Sequence, residues 1–180
     1  MKFNSVLFAL SVSAVFCSGM ASAAISGTTT ATMTFTSTVV TGTCTAQVVD
    51  SSGANASEIK YGDVYRSDIG KSIVPLAIKF SNCSGVTKAM VAAKPGSGGQ
   101  CSGESYDAGL DTAFEIWGGT VSSGVQLSCT TPPAEQDVTI TNGSGNYAME
   151  SRLVAAAGKT AAEVGLGNVS APVTFVVTYP

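Results

Sequence analysis

Near its C-terminus the chain reads Val173-Thr174-Phe175-Val176-Val177-Thr178-Tyr179-Pro180. Successive side chains of an extended strand point to opposite faces, so Val173, Phe175, Val177 and Tyr179 share one face and Thr174, Val176 and Thr178 the other. A helix would scatter these positions around its circumference. The stretch therefore reads as a β-strand with one apolar face. Working outward, the same period of two recurs. Val74, Leu76, Ile78 and Phe80 alternate with Pro75, Ala77 and Lys79; Val125, Leu127 and Cys129 alternate with Gln126 and Ser128. Phe114 and Ile116 flank Glu115, Val138 and Ile140 flank Thr139, and Ala31, Met33 and Phe35 alternate with threonines.

Turn-forming clusters punctuate these runs: Ser51-Ser52-Gly53, Pro95-Gly96-Ser97-Gly98-Gly99, Gly118-Gly119, Pro132-Pro133 and Asn142-Gly143-Ser144-Gly145. Many short strands between frequent turns predict an all-β sandwich or barrel. Lys159 to Val164 is the one stretch that reads as helical, for about a turn. No repeat and no linker divides the chain.

Composition narrows the function. The 180 residues are 44% hydrophobic and 12% charged, with 9 Lys+Arg against 12 Asp+Glu. There is apolar material for a core, and there is no basic patch of the kind a nucleic-acid binder shows. Histidine is absent, which removes Ser-His-Asp triads, Cys-His nucleophiles and histidine metal sites. Asp107, Asp111 and Glu115 cluster in sequence, as do Asp63 and Asp68, but acids at this density read as solvated turns and strand faces rather than as a glycosidase-like pair. Trp117 with Tyr106 and Tyr65 offers a sugar platform only if tertiary structure gathers them. No cofactor is implied.

The first residues read as an address. Lys2 supplies the positive start, Val6 to Phe16 is an apolar run too short to span a bilayer, and Ala21-Ser22-Ala23 presents the small residues of a cleavage site. Residues 1–23 are thus expected to be a signal peptide, leaving with Cys17. Four cysteines remain: Cys44, Cys83, Cys101 and Cys129. An even number in an exported chain predicts two disulfides, each contributing ~2–4 kcal/mol, and spacing leaves all three pairings open. Without CxxC or histidine, a metal site is disfavoured.

The new N-terminal stretch, Ile25 to Thr38, has strand character, with β-branched Thr28-Thr29-Thr30 favouring extended backbone. Yet no hairpin turn joins it to the next strand. As a plain sequence it is a first strand or a frayed end.

Taken in order, these pieces resemble the pilin subunits of chaperone–usher fimbriae, and are similar to the type 1 pilus subunit family. Met33-Thr34-Phe35, Val39-Val40 and Cys44 resemble that family's N-terminal extension running into its first strand. Ile59 to Val64 resembles a strand ending in a glycine. Leu76 to Cys83 resembles the strand that closes a disulfide with the first cysteine, Glu150-Ser151-Arg152-Leu153 the strand before the last loop, and Phe175 to Pro180 the terminal strand with its penultimate Tyr. Ser37 departs from the glycine that many relatives carry, and Cys101 with Cys129 forms an additional pair.

The resemblance implies an incomplete immunoglobulin-like β-sandwich, six-stranded and completed by a donated strand. Residues 24–37 would be the donor extension, with Ile25, Ala31, Met33 and Phe35 facing a groove, and residues 38–180 the pilin domain. Val173, Phe175, Val177 and Tyr179 would line the acceptor groove and bind the chaperone. Implied partners are a periplasmic chaperone, an outer-membrane usher and neighbouring pilin subunits in a homo- or hetero-polymer, with no nucleic acid. The implied product is a fimbrium on the bacterial surface, exported through the periplasm, that contributes to cell adhesion. Burying a Met or Phe is worth ~1.5–3 kcal/mol and each ladder hydrogen bond ~0.5–1.5 kcal/mol net. A dozen residues zipped in this way hold subunits together without a covalent link. The competing reading is a stand-alone secreted or periplasmic β-sandwich binding module, which would be a stable monomer.

Overall fold

The computed structural model describes residues 36–37, 42–131 and 135–180. The chain divides into two compact units, Met1–Thr38 and Val39–Pro180. The strands described below belong to the second.

Ten strand segments appear among the described residues: β1 Thr43–Val49, β2 Ile73–Ser84, β3 Lys88–Pro95, β4 Cys101–Ser102, β5 Ser105–Gly109, β6 Thr112–Gly118, β7 Val125–Gln126, β8 Gln136–Thr139, β9 Gly145–Ala155 and β10 Val173–Thr178. The larger sheet runs β1-β2-β9-β6-β5-β4, with β7 paired to the end of β6; the smaller runs β10-β3-β8. Every pairing is antiparallel. This is the all-β sandwich that the period of two predicts, cut into more segments because short β4 and β7 accompany the second cysteine pair.

Alternation decides which side chains enter the core. From β2, Leu76, Ile78 and Phe80 are buried while Pro75 and Lys79 are exposed. Across from them stand Ala89, Val91 and Ala93 of β3 and Val138 of β8, while Ile116 of β6 and Met149 of β9 are buried beside them in the same sheet. Pro75 lies beyond the last β1 partner, since β1 ends at Val49 opposite Ala77; there β2 has a ladder neighbour only in β9. That is a position where a residue without an N–H is tolerated.

Three local expectations change. Residues 59–65 join no ladder and form an irregular segment; Gly62 sits at φ +67, which turns the chain away from a strand path. Ile59 and Tyr61 still pack inward. Lys159–Val164 closes into turns rather than a helix: the Thr160 N–H and hydroxyl both donate to Glu163 Oε2 at 2.8 Å, and flanking Gly158 has φ +77. The Val125–Cys129 alternation yields only the two-residue β7, because Leu127 and Cys129 are drawn into the core off the ladder. A short 3-10 turn at Arg66–Asp68 was not legible from pattern.

Both cysteine pairs are bridged. Cys44 joins Cys83 across 4.1 Å between Cα atoms, and Cys101 joins Cys129 across 5.6 Å. The first reflects register: Thr43 pairs with Ser84, so β1 begins beside the end of β2.

Candidate functional site

β1 and β10 are the outer strands of their sheets. Among the described residues β10 pairs only with β3, and β1 pairs with β2 and, at its last two residues alone, with the 54–56 segment, where the Ala56 N–H donates to Val48 O at 2.9 Å and Val49 bridges to Asn55. The rest of β1 and the outer side of β10 present backbone N–H and C=O groups with no partner strand, the situation that natural sheets ordinarily hide.

Between the two edges runs an apolar groove. Its wide part encloses about 510 Å³ and is lined by Val48 of β1, Leu76 of β2, Phe114 and Ile116 of β6, and Val173 and Phe175 of β10. A narrower part of about 120 Å³ continues it, lined by Ala46, Gln47, Val48, Ile78, Phe175 and Val177. Val48 and Phe175 line both parts. The inner face of the C-terminal strand is consequently unfinished: Val173, Phe175, Val177 and Tyr179 touch the core but are only half-buried. An apolar row left half-covered between two largely unpaired edges has the shape of a site for one more strand.

The walls are held firmly. Cys44–Cys83 ties the start of β1 to β2. At the other end, Gly96 N–H donates to Pro172 O at 2.8 Å, and a Cβ on Gly96 would stand 3.1 Å from Pro172, so a larger residue would push the β3 exit and the β10 entry apart by a few tenths of an ångström. Tyr61 lines the wide part. Its ring lies 5.1 Å from that of Phe114, its hydroxyl donates to Ser151 Oγ at 2.7 Å, and burial pushes its pKa up to about 12. The rim there is polar, with Ser57, Glu58, Ser97 and Ser170.

The residues predicted from sequence fall into three groups. Val173, Phe175 and Val177 lie together on β10 and line the groove, whereas Tyr179, the residue just after β10, packs against the core and lines neither part. The four cysteines are bridged in two pairs. Ile25, Ala31, Met33 and Phe35 lie outside the described residues. Sequence reasoning missed the opposite wall and the floor: Ala46, Val48, Ile59, Phe114 and Ile116. The alternation of Ala46 and Val48 was a weak signal for the wall, but which strand faces β10 is a property of topology.

The competing constellations are tied up locally. Glu115 accepts from Arg152 Nη2 at 2.5 Å and from the Trp117 indole at 3.1 Å. Asp111 pairs with Lys159 at 3.4 Å, and Asp107 accepts the Gly109 N–H at 2.7 Å. Tyr106 is buried, its hydroxyl donating to Leu127 O at 2.9 Å, whereas Tyr65 is exposed. They form no platform with Trp117. Among the described residues no three of His, Cys, Asp and Glu gather as metal ligands.

No family model matches the chain. A curated relative, the uncharacterized fimbrial-like protein YadL of Escherichia coli (strain K12), is 34% identical over an alignment of 201 positions that covers 99% of both chains. Among solved structures, the P pilus rod subunit PapA superimposes with a TM-score of 0.55 at 20% identity, over 83% of this chain and 100% of that one. A subunit of a chaperone–usher pilus superimposes with a TM-score of 0.56 at 20% identity, over 84% of this chain and 96% of that one. The two structures share the sandwich architecture of this chain.

Proposed function

The chain belongs to the fimbrial subunit family, with the fold of chaperone–usher pilins, and we propose that it polymerises into a bacterial surface fimbria by donor-strand exchange. It is a structural subunit and not an enzyme. On this reading residues 1–23 direct export and are removed. Residues 24–37 are donated to a neighbour, where Ile25, Ala31, Met33 and Phe35 enter the groove. Residues 38–180 form the body. A periplasmic chaperone lends a strand along β10 until, at an outer-membrane usher, the next subunit's extension replaces it. The assembled fibre contributes to adhesion as a polymer on the cell surface.

The observation that carries this reading is the groove: two strand edges, largely unpaired among the described residues, flanking a half-buried apolar row. Inserting one strand would satisfy both edges, cover Phe175 and Val177, and fill the space above Leu76 and Ile78. Register would be enforced, because a slip of one residue turns Met33 and Phe35 outward and Thr34 inward.

The test is thermal unfolding of the chain lacking residues 24–37, disulfides intact, with and without a peptide of that segment. A large, slowly developing rise in Tm with the peptide, abolished by Phe35→Asp in the peptide, is the expected result. A truncated chain that is already a stable monomer and ignores the peptide would remove the mechanism and leave the stand-alone binding module.

A further inference from the structure

Three apolar side chains stand exposed at one pole of the body: Leu166 is 82% exposed, Tyr65 73% and Leu110 44%. They come from three separate stretches that the fold knits together. Arg66 Nε donates to Val164 O at 2.9 Å, and the Gly165 N–H donates to Leu110 O at 2.8 Å. A Cβ on Gly167 would stand 2.9 Å from Leu110 Cδ1, so the Leu110 side chain lies on the loop that carries Leu166.

Leu110 is an unusual choice for its place. With φ +54, followed by Asp111 at φ +59, it opens the two-residue turn between β5 and β6. Such turns favour Asn, Asp or Gly, whereas a leucine is strained in that conformation. Its side chain rests on Gly165 and Gly167 of the neighbouring loop, and that contact offsets part of the strain, yet 44% of the residue still faces outward beside Leu166. The two loops thus present a joint apolar surface at a strained turn.

The position of this pole says what that surface meets. β2 runs the length of the body. Ile73 lies at the patch pole, paired with Arg152, and Ser84 at the far pole, paired with Thr43. The body is therefore joined to its N-terminal segment, through Gly42, at the pole away from the patch. The wide mouth of the groove opens on the patch side, since Val169 and Ser170, three and four residues beyond Leu166, line it. Resting on the donor-strand reading, a linear head-to-tail polymer needs the incoming segment to leave the groove by the pole opposite Gly42. Otherwise both neighbours would emerge on the same side. Only residues 36–41 then separate Phe35 in the groove from Gly42 of the incoming copy, a tether of at most roughly 25 Å.

We propose that the Tyr65, Leu110 and Leu166 pole is the seat for the Gly42 pole of a second copy of this chain, a body-to-body contact that fixes how successive subunits stack. The opposing surface would be the turn at 141–144 with Val86, which packs beside Gly42.

The experiment uses the full chain, exported and assembled by its producing cell. Asn168→Cys beside the patch and Ser144→Cys at the far pole are introduced together and treated with a short bis-maleimide. The expected result is a covalent ladder on boiled denaturing gels that requires both substitutions. Adding Leu166→Asp with Leu110→Asn should reduce the ladder about tenfold, while Leu110→Asn leaves the Tm of the body unchanged or raised. Polymers that resist unboiled detergent but give no ladder would overturn this inference and leave the groove reading standing. Failure to form any polymer would overturn both. Protection of the Asn168→Cys thiol from alkylation only in the chaperone-bound chain would assign the pole to the chaperone and overturn the second-copy contact.

Discussion

Phe175 is the side chain on which the groove reading can be weighed, because it lines both the 510 Å³ and the 120 Å³ parts of the space. Truncating a fully buried Phe to Ala costs about 3–5 kcal/mol. In the unoccupied body Phe175 keeps a minority of its surface exposed, so Phe175→Ala should cost that body the larger share, roughly 2–4 kcal/mol. The remainder, roughly 0.5–1.5 kcal/mol, is realised only when a strand covers the ring, and it should appear as lost donor affinity of about 2- to 12-fold. The contrast is Met149→Ala. Met149 is 2% exposed and lines neither part of the groove, so it should cost the body about 2–5 kcal/mol and leave affinity unchanged. The assay is urea unfolding of the chain lacking residues 24–37, alongside competition binding of a labelled peptide of that segment. If Phe175→Ala takes its full cost from the body alone and the peptide binds as before, Phe175 is an ordinary core residue and the reasoning fails.

Three further outcomes are expected from the same packing. The Tyr147 hydroxyl is buried with no hydrogen-bond partner among the described residues, so Tyr147→Phe should leave stability unchanged or raise it by up to about 1–3 kcal/mol; a clear loss in urea unfolding would mean that the hydroxyl is satisfied after all. Burial pushes the pKa of Tyr106 and of Tyr61 up to about 12. The unfolded chain ionises these groups near 10 while the folded chain keeps its protons, so their stabilisation is intact below about pH 10 and falls, by up to about 1.4 kcal/mol per pH unit for each, toward pH 12; a flat stability profile across that window, with tyrosinate absorbance recorded in parallel, would contradict the burial. Replacing Cys101 and Cys129 together by Ser should cost about 2–4 kcal/mol without changing peptide affinity, since neither residue lines the groove; a parallel loss of affinity would show that the bridge shapes the groove as well.

Much of the sandwich was legible because strand periodicity is local. Leu76, Ile78 and Phe80 announce a buried face through spacing alone, and the structure buries all three. Where chemistry was local but ambiguous, pattern misled. Ile59 and Tyr61 sit two apart as in a strand, yet no neighbouring strand offers them a ladder, and Gly62 at φ +67 diverts the chain. Leu127 kept its apolar position, but the strand around it was cut short as the segment turned inward toward Tyr106, whose hydroxyl bonds the Leu127 carbonyl.

From sequence alone came the β-class, the alternating face of Val173, Phe175, Val177 and Tyr179, the exported character and the likeness to pilins. Each rests on residues near one another in the chain or on their order along it. Tertiary structure decided the rest. Which cysteines meet depends on β1 lying antiparallel to β2, so that Thr43 faces Ser84. That the Val173 face is half-covered depends on β1 and β10 both ending as sheet edges, with Val48 brought opposite Phe175 from 127 residues away in sequence. Period fixes which side a residue faces; it carries no information on what stands across from it, because strand order is settled by the collective burial of every apolar face at once.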